Sequence, residues 1–151
     1  MNRAAQLIST MFGVGYARYA PGTMGSLVAL PLAWLIAFEW GRFVLLVASI
    51  LALAVGGWAS ELYAARTQNV DPKECVIDEL AGQWIACAFA PVSIPAYILA
   101  FILFRVFDIT KLWPVSRAER LHGGVGIMAD DVVAALMAGA IIAVLAHLDL
   151  I

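Results

Sequence analysis

PKECVIDELAGQWIACAFAPVSIPAYILAFILFRVFDITKL, residues 72–112, reads as two apolar helices folded back on each other, with acids and bases at the open end. Asp71 suits an N-cap and Pro72 a first helical position, which predicts a helix over 72–90. The two prolines of PVSIP, residues 91–95, end it, and a second helix is predicted to return over 96–112. Asp78 and Asp108 each stand 15 residues from Ser93, so an antiparallel hairpin turning there holds both at one depth. On the returning helix Arg105, Asp108 and Lys111 recur every three residues and share a side.

The rest of the chain is of the same kind. Of 151 residues, 64% are hydrophobic and 13% charged, an excess that marks a membrane protein rather than a soluble domain. A membrane-crossing helix needs about 20 apolar residues. Apolar stretches approaching this length lie at 26–38, which contains Pro31, at 43–64, in the two hairpin helices and at 129–147. The expected fold class is all-α, a polytopic bundle of four to five membrane helices. Its N-terminal stretch, MNRAAQLISTMFGVGY, reads as a retained amphipathic surface segment rather than a cleaved signal. No linker or repeat interrupts the chain, which predicts one domain over residues 1–151. Arg3, Arg18, Arg66, Lys73, Arg105, Lys111, Arg117 and Arg120 fall on one side of these spans and Arg42 on the other, which makes the first side cytoplasmic. No basic run with interleaved aromatics points to nucleic acid. Cys75 and Cys87, 12 residues apart at the two ends of one predicted helix, are too far apart to bridge and read as structural. Most Trp and Tyr residues flank the spans and read as interface anchors.

Asp78 and Glu79 are expensive where they stand. A carboxylate at the bilayer centre costs about 2.5–3.5 kcal/mol on insertion scales, so an adjacent pair calls for a partner or a wet cleft. HGGVGIMADD, residues 122–131, brings Asp130 and Asp131 to the same edge, because the chain between Lys111 and Asp130 holds no spanning segment. Five carboxylates from three helices would repel one another without cations, and an all-oxygen ligand set favours Mg²⁺ over Ca²⁺, with Mn²⁺ as a substitute. The plainer reading makes Asp130 an N-cap, Asp131 a first-turn charge and Asp108 a bridge to Arg105 or Lys111. Capping alone does not require acids on separate helices to meet.

YAPGTMGSLVALP, residues 19–31, supplies a Pro-Gly turn, Thr23 or Ser26 as caps and Gly25 for close backbone approach; the helix start is also suited to phosphate. Gly123, Gly124 and Gly126 read as a second flexible loop, able to wrap a phosphate or simply to turn. His122 beside it is a candidate acid or base, though a lone histidine is more often structural or solvated.

PGTMGS at 21–26, VIDELAG at 76–82, FRVFDITKLWP at 104–114 and HGGVGIMADD at 122–131 together resemble the phosphatidylglycerophosphatase A family of bacterial membrane phosphatases. The resemblance implies Mg²⁺-dependent removal of the terminal phosphate of phosphatidylglycerophosphate at the cytoplasmic membrane. It implies Asp78, Glu79, Asp108, Asp130 and Asp131 as metal ligands and places Thr23, Ser26, Arg105, Lys111 and His122 at matching positions. Leu112 departs from the family's usual proline without removing a charge. On this expectation Thr23, Ser26, Arg105, Lys111, Gly123 and Gly124 meet the substrate, and a carboxylate or His122 deprotonates water. The histidine-dependent lipid phosphatases fail on spacing, since SRAERLH is one residue short and PSGH is missing. A small ion transporter or channel subunit is the competing class, and it predicts carboxylates spread across the bilayer rather than gathered at one edge.

Overall fold

The computed structural model describes residues 2–118, 120–121 and 123–151, and among these every regular element is helical. The helices are α1 (Arg3–Ser9), α2 (Pro21–Trp40), α3 (Arg42–Thr67), α4 (Ile77–Ala88), α5 (Ile94–Thr110), α6 (Val115–Ala118) and α7 (Gly123–His147), with a 3₁₀ turn at Val14–Tyr16. Three of them, α2, α3 and α7, are long and apolar enough to cross a membrane. Pro31 does not break α2, in keeping with the tolerance of membrane helices for proline.

Helix α4 is shorter than the expected 72–90. Pro72 opens a turn closed by the Cys75 amide on the Pro72 carbonyl (2.9 Å), and regular helix begins only at Ile77. Asp71 is therefore not its cap. The chain here runs beneath α1, where the Val76 amide donates to the Ser9 carbonyl at 2.9 Å, and this pairing competes with helix. At 12 residues α4 is about 18 Å long. It packs against α2, α3, α5 and α7 and is buried on nearly all sides, down to Ala86 and Cys87. Trp84, within α4, is no interface anchor: its indole donates to the Ala29 carbonyl of α2 at 3.0 Å. The PVSIP turn forms as expected, with the Ser93 hydroxyl accepting from the Ala96 amide and capping α5. Cys75 precedes α4 and Cys87 lies inside it, both buried and both free.

Helix α7 starts at Gly123, six residues before the expected start at 129, so Gly123, Gly124 and Gly126 are helical rather than a loop. The reason is packing. A Cβ at Gly124 would overlap the Gly57 carbonyl oxygen, so the glycine lets the start of α7 lie directly on the backbone of α3. The core between the helices is built of small residues, Ala33, Ala86, Ala100, Ala134 and Ala138 among them, around the fully buried Phe104. Small side chains allow the close helix packing on which membrane bundles depend.

Candidate active site

A cavity of about 600 Å³ opens at one end of the bundle. Its lining takes in the start of α2 at Pro21, the chain after α3 at Val70, the start of α4 at Asp78, the end of α5 at Asp108 and the first turns of α7 at Gly126. All five long elements thus meet there by alternating direction.

All five predicted carboxylates line this cavity. Their oxygens form two triads, Asp78 with Glu79 and Asp131, and Asp108 with Asp130 and Asp131, each with its atoms within 4.8 Å of one another. Asp131 belongs to both. Asp78 and Asp108 each meet Asp131, in different triads. Asp131 is 4% exposed, and Asp78 and Asp108 are buried as well.

Helix geometry decides against the capping reading of the α7 acids. Asp130 and Asp131 stand about two turns inside α7, beyond reach of the N-cap and first-turn positions. Asp78 and Glu79 do fall in the first turn of α4, where the helix dipole favours acids by about 0.3–1 kcal/mol. That is small against the several kcal/mol of burying one carboxylate unpaired.

Two cations answer part of this charge. Arg105 Nη1 lies 2.7 Å from Asp108 Oδ2 and 3.8 Å from Glu79 Oε1. Lys111 Nζ donates to Asp108 Oδ1 at 3.1 Å and also to Asp130 Oδ2. Burial works against the Lys111 charge, but the hydrogen bond to Asp130 and the field of Asp108 outweigh it and hold the ammonium above its usual range. Among the described cavity residues, Glu79 Oε2, Asp131 Oδ2 and Arg105 Nε are buried without a hydrogen bond, while Arg105 Nη1 has its ion pairs to Asp108 and Glu79. Unsatisfied oxygens on clustered carboxylates fit a hard cation, and a guanidinium with an N–H to spare fits an anion beside it.

The remaining expectations divide. Thr23 lines the cavity, whereas Ser26 is fully buried and its hydroxyl returns to the Gly22 carbonyl at 3.1 Å, so it is not a cap. The start of α2 carries no side-chain cap; its N-cap is Ala20. Gly25 does permit close approach, since a Cβ there would sit 3.1 Å from Val76 Cβ. Gly126 borders the cavity but Gly124 does not. His122 lies outside the described residues.

Sequence reasoning missed two contributors. A Cβ at Gly22 would overlap Glu79 Oε1, so this glycine makes room for the carboxylate against the start of α2. Lys73, carried between α3 and α4, borders the cavity. Pro21 and Gly22 open α2 instead of forming the expected turn, and nothing in the sequence signalled what would be packed against the glycine.

An all-helical membrane protein with a charged, cation-ready cavity at one end of its bundle is the class that fold and site define. The family model for Phosphatidylglycerophosphatase A matches residues 7–146, and the chain belongs to that family. It is an enzyme, a phosphatase of phospholipid synthesis. Phosphatidylglycerophosphatase A of Escherichia coli is 34% identical over 97% of this chain and 86% of its own length. The Haemophilus influenzae protein of the same name is 37% identical over 87% of this chain and 82% of its own length. A Bacteroides thetaiotaomicron protein named "Putative phosphatidylinositol-3-phosphatase" is 38% identical over 91% of each chain. No solved structure matches the chain significantly.

Proposed function

We propose that the chain hydrolyses the terminal phosphomonoester of phosphatidylglycerophosphate to phosphatidylglycerol and phosphate, using Mg²⁺ held by Asp78, Glu79, Asp108, Asp130 and Asp131. The observation that carries this reading is the pair of buried, unpartnered carboxylate oxygens, Glu79 Oε2 and Asp131 Oδ2, in a cavity that also holds the unpartnered Nε donor of Arg105. When bound, the metal supplies neutralisation of the phosphoryl oxygens and a more acidic water. Arg105, its Nη1 paired with Asp108, offers the phosphate its remaining N–H at Nε. Lys111, already engaged by Asp108 and Asp130, holds the carboxylates in register more than it meets the substrate. Thr23 and the uncapped amides at the start of α2 offer further donors. Water attacks phosphorus, a cavity carboxylate takes its proton, the bond to the glycerol oxygen breaks, and the carboxylate returns that proton to the leaving oxygen.

The placement that supports this chemistry is five crossings. Helices α2, α3 and α7 span the bilayer, and the α4–α5 hairpin fills its interior and turns near the far edge. The cavity then opens toward the cytoplasmic headgroups of a bacterial inner membrane, on the side rich in Arg and Lys. Helix α1 and the turn after it, with Leu7 and Phe12 exposed, lie along that surface.

Purified protein in detergent is expected to release phosphate from phosphatidylglycerophosphate with Mg²⁺ and to stop in chelator. Folded protein without metal-dependent release would refute the proposal.

A further inference from the structure

We propose that Lys73 recognises the second phosphate of the substrate, the phosphodiester joining the headgroup glycerol to the diacylglycerol, and so sets a preference for lipids carrying two phosphates. This rests on the reaction proposed above. Among the described residues, three cations border the cavity: Arg105, Lys111 and Lys73. The first two are engaged by Glu79, Asp108 and Asp130. Lys73 is exposed and has no ion-pair partner among the described residues. Its backbone is nonetheless held, because Pro72 beside it is fully buried and bonded to the Cys75 amide.

A fixed anchor with a free ammonium suits a ligand that arrives with the substrate. The cavity, at about 600 Å³, is in the range that takes a whole small-molecule headgroup rather than one phosphate. The acids and Arg105 lie on α4, α5 and α7, whereas Lys73 stands on the connection between α3 and α4 that also lines the cavity. A phosphodiester bears one negative charge and undergoes no chemistry here. A point charge on a flexible stem is enough to bind it.

The test compares kcat/KM for phosphatidylglycerophosphate with that for phosphatidic acid, which has a phosphomonoester and no diester, in the same detergent micelles. Wild type is expected to prefer the first. Lys73→Gln should shrink that preference about tenfold, mainly through KM, and Lys73→Arg should restore most of it. The inference is overturned if wild type does not discriminate, if Lys73→Gln keeps the wild-type preference, or if it slows both lipids equally. Release of phosphate from neither lipid by folded wild type would instead refute the underlying reaction.

Discussion

Lys111, just past the end of α5, donates to Asp130 of α7 while also holding Asp108 of its own helix, so one ammonium ties two helices together across the cavity. Removing it as Lys111→Met leaves two carboxylates facing each other with one fewer cation. Lys111 keeps 30% of its side chain exposed, which moderates the cost to about 1–2 kcal/mol. The expected result is a melting temperature lowered by several degrees in chelator, partly recovered with Mg²⁺. An unchanged melt would mean that the tie carries no stability.

Asp131 is the carboxylate shared by both acidic triads, and its Asn variant separates function from stability. Asp131→Asn removes one buried negative charge from a repelling cluster without changing side-chain shape. Activity is expected to fall by about 100-fold or more, while the metal-free protein melts as high as wild type or higher. Retained activity would return Asp131 to a purely structural role.

Gly22 makes a sharper test, because helix propensity and site geometry pull in opposite directions. In a helix Ala is favoured over Gly by about 1 kcal/mol. Here the new methyl must displace the Glu79 carboxylate, which lies near Arg105 as well. Gly22→Ala should therefore melt within a few degrees of wild type yet lose about tenfold or more in kcat. Thermal melting and initial-rate kinetics on one preparation decide it.

Metal removal should be visible without turnover. A cation that binds only the folded state stabilises it by about 2.7 kcal/mol at 100 times its dissociation constant. Titrating Mg²⁺ into chelator-treated protein should raise the melting temperature, and Asp131→Asn should blunt the rise. A melt indifferent to Mg²⁺ in wild type would argue against the cluster as a metal site.

Cys75 reports on the same end of the bundle. Burial pushes its thiol up to about 11, against which the hydrogen bond with Ser60 (2.9 Å) works only in part. Only the thiolate is nucleophilic, so at pH 8 the reactive fraction is on the order of one in a thousand. Alkylation of folded protein should be slow at pH 8 and rise about tenfold per pH unit toward 11. Rapid labelling at pH 7 in folded protein would contradict the burial.

Much of this was legible in the amino-acid order. The abundance of apolar residues specified a helical membrane protein, the PVSIP turn specified the hairpin, and the spacing of Asp78, Asp108, Asp130 and Asp131 brought them to one end. These are properties of composition and period, and they hold wherever the helices pack. Helix ends were less legible, since contacts with distant chain set them. Val76 pairs with Ser9 and delays α4, and Gly124 rests on Gly57 and makes helix of an expected loop. Only the tertiary structure decided that Asp131 stands between the other acids, that Lys111 serves two carboxylates, and that Gly22 yields its side-chain space to Glu79. Such pairings depend on rotation and depth of whole helices, which are set by the interlocking of small residues across interfaces and leave no period along a single chain.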